Sequence, residues 1–449
     1  MSGPEFSLFN ASDEWILHYV DDPVFEESLL LNVLFQDKIL MHESYFFNSS
    51  LLSRHINRRP GRLSLFEYAS LRGLIVPAIR DRKATSLAEA YEGLEGQFFK
   101  DFQLLIPEMQ PFKDRIVGAV DAGLTRKNLK PFYWPEPTSP DVNLGHRYHE
   151  LLKSLFQRAL PPHAESLDSD RRQLFERVWE KSKRWRYDCF EQAAHRTAQN
   201  GNLGVQRLEL IRSIGWSLGI PASQTNIEPR DILQCSDDPE TRLAVEVFFK
   251  WLAQCHHLTQ AQVFGTAINF PVYDLDEDFV LDSIFTPKNA QAVEPSADVL
   301  RCEVKLPPLE SLISLAPQDV VAIRDDLGEG YRTALKRWQQ TPDENNRRAA
   351  GRSLQDYCEM ISRNYDDRHL EPLVATFGPS GSSRYSSVAS VSTSVGSKIS
   401  PGVGWLVTCS KLVFTTYQFL TKRRIRSRLA TSNTQLEVTL AESVANSVS

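Results

Sequence analysis

No two of the six cysteines (Cys189, Cys235, Cys255, Cys302, Cys358, Cys409) form a CxxC pair, and their wide scatter offers no disulfide framework. Met1 to Asn10 lacks a basic stretch followed by an apolar run, so no signal peptide is expected. Both absences point to a reducing compartment with free thiols. There is no internal repeat. There is no excess of basic charge either: the formal net charge is −6, which argues against a dedicated nucleic-acid binder. What is present is ordinary for a globular protein, 41% hydrophobic and 24% charged residues. A chain of 449 residues exceeds the size at which one core usually stops growing, so two or three domains are expected.

Pattern and punctuation divide the chain five ways. Residues 1–140 read as a mixed α/β region. Within it Trp15 to Val20 and Lys38 to His42 are strand-like. A helix capped at Asp22 runs to about Phe35, and another from Ser64 ends at Gly73. Leu74 to Ile79 forms a short strand that Pro77 confines to an edge. Leu87 to Phe102 is helical, and the proline-rich Lys130 to Pro137 closes the region. Residues 141–273 form a central helical domain: Leu144 to Leu160, a long charged helix Ser169 to Gln199, one through Ile211, and one from Asp238 to about Cys255. Residues 274–377 hold an acidic loop, a strand at Val299 to Leu306, and a long antiparallel helical hairpin turned at Thr341-Pro342-Asp343. Residues 378–402 are a Ser/Gly-rich linker. Residues 403–449 carry an apolar amphipathic helix, a basic cluster and a polar tail. The predicted fold is mainly α, a multi-helical body with a few short β-strands.

The C-terminal helix is the strongest functional signal. From Val403 to Leu420 it spans 18 residues, about 27 Å at ~1.5 Å per residue, barely a membrane thickness. Trp405, Leu406, Leu412, Phe414, Tyr417 and Leu420 form its apolar arc. Lys422, Arg423 and Arg424 then suit an anionic surface. The expectation is a non-enzymatic interaction or scaffold protein that docks this helix on a membrane surface or partner protein. It would be cytoplasmic and peripheral to the inner face of the membrane. An effector of a bacterial conflict system would have this form, by fold-level analogy alone. No cofactor is implied.

Two other classes of function have residues to carry them. His146, His149 and Glu150 share a helix, with both imidazoles near one face, as a metal-dependent hydrolase could use. The order H-x-x-H-E matches no zinc-protease motif, and a third ligand would come from Asp274, Asp276 or His256. Lys181, Lys183, Arg184 and Arg186 surround Trp185, as single-stranded nucleic acid would require, but Asp188, Glu180 and Glu191 on the same helix cancel much of the field.

The remaining motifs read as structure. Gly215-Trp216-Ser217-Leu218-Gly219 imitates a nucleophile elbow, but a helix precedes it and Ile220-Pro221 follows; a helix end capped at Gly219 fits better. A helix-turn-helix there would have too short a second helix. Cys255-His256-His257 cannot share one ion on a helix, since neighbours point about 100° apart. Asp274-x-Asp276-x-Asp278 lacks the glycine and the closing glutamate of a calcium loop.

Overall fold

The computed structural model describes residues 6–11, 22–58, 61–95, 105–134, 143–157, 169–224, 227, 229–235, 238–264, 266–269, 299–307, 309–341, 343–377, 412–418 and 432–440. The first strand, β1 (Phe6–Phe9), leads to α1 (Asp22–Phe35), which is buried almost all round from Phe25 to Phe35. Strand β2 (Lys38–His42) follows, then α2 (Tyr45–Asn48), α3 (Ser50–Asn57) and α4 (Leu65–Leu71). A capping box starts α4: the Glu67 amide donates to Ser64 Oγ at 3.2 Å, and the Ser64 amide donates to Glu67 Oε2 at 2.8 Å. Gly73, at φ 67°, turns the chain into β3 (Ile75–Ile79). Then come α5 (Leu87–Glu95), a 3-10 turn at Pro107–Phe112, α6 (Lys113–Arg126) and the short β4 (Phe132–Tyr133).

Helices fill the next stretch: α7 (Leu144–Phe156), α8 (Ser169–Lys181), a π-turn at Trp185–Cys189, α9 (Phe190–Gln199), α10 (Arg207–Ser217), α11 (Pro229–Gln234) and α12 (Pro239–Phe264). Strand β5 (Ala267–Asn269) returns to the sheet. After β6 (Val299–Leu306) come α13 (Leu309–Ile313), α14 (Pro317–Leu327), α15 (Glu329–Gln340) and α16 (Glu344–Phe377), and then β7 (Leu412–Gln418) and β8 (Ser432–Leu440).

The short strands join in one sheet of order β4-β3-β2-β1-β5-β7-β8-β6. Pairing is parallel from β4 across to β7, and antiparallel where β8 joins β7 and β6. The chain is still mostly helical, but it has α/β character rather than a mainly α body with incidental strands. Strands of two to five residues show too little alternation to be weighed singly; pairing between distant segments makes them a sheet.

Other expectations change with it. Pro77 lies inside the sheet, not on its edge. Strand β2 bonds to the Leu74 and Ala78 carbonyls, so by alternation Pro77 turns toward β4, which pairs only from Ala78 onward. The helix that starts at Pro239 runs on to Phe264 instead of stopping near Cys255. The first arm of the hairpin breaks at Gly328, where an added Cβ would come within 2.7 Å of the Arg324 carbonyl. Leu412–Gln418, expected as part of the terminal amphipathic helix, is a strand. Its run Val413-Phe414-Thr415-Thr416-Tyr417 is β-branched and aromatic, which suits a strand better than a helix. Trp15 to Val20, the acidic loop at 274–297, the linker at 378–402, and Trp405, Leu406, Leu420, Lys422, Arg423 and Arg424 lie outside the described residues. Among the described residues no helix is long and apolar enough to cross a membrane.

One hydrophobic cluster extends from Leu8 to Ile361. The hairpin docks on the end of α1. Phe35 meets Tyr331 and Tyr357 edge-on at 6.1 and 5.5 Å, and those two rings stack at 5.8 Å. Arg324 Nη2 donates to the Gln36 and Asp37 carbonyls just past that helix end, at 3.2 and 2.9 Å. Helices α4 and α6 approach so closely that a Cβ on Gly123 would lie 1.8 Å from the Ser70 carbonyl oxygen. We therefore expect Gly123→Ala to lower unfolding stability by about 3 kcal/mol. Gly118→Ala, in open space on the same helix, should instead raise it by up to about 1 kcal/mol. Urea unfolding of both variants checks the pair.

Candidate ligand site at the sheet edge

In an open parallel sheet, ligands bind beyond the carboxyl ends of the strands, where the strand order reverses. Here β2, β3 and β4 spread to one side of β1 and β5 lies on the other, so the reversal falls at β1. Each of the first four strands is followed by, or ends in, a polar or amphipathic residue: Asn10, His42-Glu43, Arg80-Asp81 and Trp134.

His42 is buried, its ring 4.7 Å from Trp134 edge-on and 5.4 Å from Tyr45. The Ser44 amide donates to His42 Nδ1 at 3.1 Å, and Ser44 Oγ sits 2.5 Å from the same nitrogen. Arg80 Nη2 lies 3.2 Å from His42 Nε2. A neutral imidazole has one lone pair in its ring plane, and both an amide and a guanidinium are obligate donors. The ring therefore satisfies only one of them. Arg80 also lies over Trp134 at 4.9 Å, and its side chain is 40% exposed.

Beneath Arg80, Glu43 is fully buried. Its Oε2 accepts the Arg80 amide at 3.0 Å and its Oε1 lies 3.4 Å from Arg80 Nε. Burial pushes the Glu43 carboxyl above the usual carboxylate value; Arg80 opposes this and Asp81 adds to it. Asn10 is 1% exposed, and neither its amide oxygen nor its amide nitrogen has a hydrogen-bond partner. Leaving such a group unpaired costs about 1–3 kcal/mol. Phe9 packs on Phe25 of α1, so by alternation Asn10 faces the other side, where Phe6 meets Phe132 and Phe132 meets Phe264. The register Phe9 to Met41, carried one residue on, sets Asn10 beside His42.

Ser44 and His42 look like a nucleophile and its base, but the third position is wrong. In such a pair the other ring nitrogen is held by a hydrogen-bond acceptor that orients the imidazole and tolerates its positive charge. Here a guanidinium stands there, and it opposes the imidazolium.

The residues singled out from sequence lie elsewhere. His146 and His149 do share α7, yet His149 stacks on Phe190 at 4.9 Å and its Nε2 is 3.8 Å from Glu150. The His146 amide is taken up by Asn143 at the helix cap. His256 packs edge-on against Tyr148, and Asp274 and Asp276 lie outside the described residues. Among the described residues no group of three or more His, Cys, Asp or Glu is placed to hold a metal ion. In the basic stretch, Trp185 and Arg186 point inward. The guanidinium lies 3.8 Å over Trp179 and donates to the Phe156 and Trp179 carbonyls at 3.2 and 2.8 Å. Lys181 pairs with Asp238 and Glu240, which leaves Lys183 and Arg184 facing outward. Ser217 is inside α10, its hydroxyl bonded to the Ile214 carbonyl, and Gly219 at φ 102° ends the turn as expected. The would-be second helix, α11, has six residues. Cys255 and His257 are buried in mid-α12, not at a helix end.

Sequence reading passed over Asn10, His42, Glu43, Arg80 and Trp134. The available signal was a polar residue directly after each short apolar run, which acquires meaning only once the runs are known to be parallel neighbours.

Two outcomes follow. A carboxyl raised by burial adds stability that is full below its ordinary value of 4.5 and declines as pH rises through the raised value. Melting temperatures of Glu43→Gln relative to the parent should therefore climb from about pH 4.5 upward; a flat difference would contradict burial as the main influence. Arg186→Glu should lower the melting temperature sharply because it leaves a buried charge among carbonyls, whereas Lys183→Glu with Arg184→Glu should barely change it. No protein-family model, curated protein or solved structure matches the chain, so these side chains alone carry the functional argument.

Proposed function

We propose that the chain is a non-enzymatic binding protein that holds a small molecule through an anionic oxygen at Arg80 and His42. This reading differs from the expected interaction or scaffold protein, whose C-terminal helix would dock on a membrane surface or partner protein: it shares only the non-enzymatic character and places the site at the carboxyl edge of the parallel sheet. One observation carries the reading: the Ser44 amide and the Arg80 guanidinium both aim at an imidazole that can accept from only one of them. An oxyanion seated between His42 Nε2 and Arg80 Nη2 would accept from both nitrogens. The half-exposed guanidinium is the partner able to turn toward it.

Isothermal titration with inorganic phosphate tests the reading. A charge-assisted hydrogen bond is worth about 1.5–3 kcal/mol, so Arg80→Gln should weaken phosphate binding roughly ten- to hundredfold. Lys183→Gln, far along the chain, should leave it unchanged. Equal phosphate affinity in Arg80→Gln and the parent would remove the proposal.

A further inference from the structure

The anion site leaves Asn10 unexplained. It is closed off from solvent, both its amide atoms lack partners, and it sits where the strand order reverses. Ser7, three residues earlier, shows the contrast: its hydroxyl finds Asn32 on α1. Native folds rarely keep a buried amide with nothing to bond, and such exceptions call for an explanation. Its place supplies one. Asn10 and His42 stand side by side on one face, and Arg80 follows two residues beyond Ala78, the partner of His42. Strand spacing of ~4.8 Å and a rise of ~3.3 Å per residue put Asn10 and Arg80 roughly 12 Å apart along the sheet edge.

Resting on the anion site above, we infer that the ligand is an adenine nucleotide, with its phosphate at Arg80 and its base edge on Asn10. A carboxamide presents a donor beside an acceptor, and its complement is an edge with an acceptor beside a donor. Adenine N7 and N6 form such an edge, and an asparagine reads it with two hydrogen bonds. Guanine and hypoxanthine present two acceptors there and satisfy only half of the amide. The wall between the two ends is aromatic: Trp134 meets His42 at 4.7 Å and Phe264 at 4.8 Å. Because the amide is closed over, base binding needs this edge to part, while phosphate binding at the half-exposed Arg80 does not.

The test titrates adenosine monophosphate, inosine monophosphate, ribose 5-phosphate and inorganic phosphate into the full chain, into Asn10→Leu and into Arg80→Gln. In the parent, adenosine monophosphate should bind about tenfold or more tighter than ribose 5-phosphate, with inosine monophosphate close to the latter. Asn10→Leu should erase that preference and leave phosphate affinity alone. It should also raise the melting temperature of the unliganded protein, since an unpaired amide gives way to an apolar group of similar size. Equal affinity for adenosine monophosphate and ribose 5-phosphate in the parent overturns the inference but spares the anion site, and needs no variant to fold. A lower melting temperature in Asn10→Leu also overturns it, because the amide is then structural. Adenosine monophosphate binding that ignores Arg80→Gln removes the anion site itself.

Discussion

Phe35 joins α1 to the distant helical hairpin. Its ring closes α1 and receives Tyr331 and Tyr357 from the helical hairpin about three hundred residues away. Around that contact the hairpin is tied to two junctions of the chain, one through backbone carbonyls and one through an ion pair. Tyr357 Oη donates to the Leu34 carbonyl, and Arg324 takes the next carbonyls, just before β2. Arg72 pairs with Asp325 just before β3. The hairpin thus secures the amino ends of the central strands. The opposite ends are left to Asn10, His42, Glu43 and Arg80. A sheet clamped at one edge can carry polar groups at the other, because its register is already set.

The treatment of charge follows the same division. Arg186 is buried, but three oxygen acceptors and the Trp179 face surround it, so it serves as a cross-link between α7 and α8. Glu26 is buried with His55 on Oε1 at 2.7 Å, and the Phe66 amide occupies the other His55 nitrogen at 3.3 Å. Both are closed networks in which every strong group is answered. At the sheet edge one imidazole faces two donors, and the Asn10 amide has no partner at either atom. Other buried polar atoms, Gln36 Nε2 and Gln260 Oε1 among them, also lack partners, but Asn10 lacks them at both amide atoms and stands beside His42.

Much of the local structure was legible in residue order. Asp22, Ser64, Gly73, Gly201 and Gly219 mark helix ends by chemistry that acts within a turn or two, and the strands Lys38–His42 and Val299–Leu306 stand where short apolar runs meet turn residues. The hairpin stripes of Tyr331, Leu335 and Trp338, and of Leu354, Tyr357 and Ile361, are buried as a helical period implies. Trp185 falls on the apolar face of its helix, but the inward-facing Arg186 beside it was not legible. A π-turn at Trp185–Cys189 adds a residue to the turn and rotates the faces that a regular helix would present.

What residue order decided, then, was each element and most of its ends, since capping, glycine turns and periodicity depend on neighbours a few positions apart. What the tertiary structure alone decided was the sheet and everything at its edge. Four residues in β1 and two in β4 carry no order of their own. Parallel pairing requires partners some thirty or more residues away, and only that pairing brings Asn10, His42 and Arg80 to one face at the same end of the sheet.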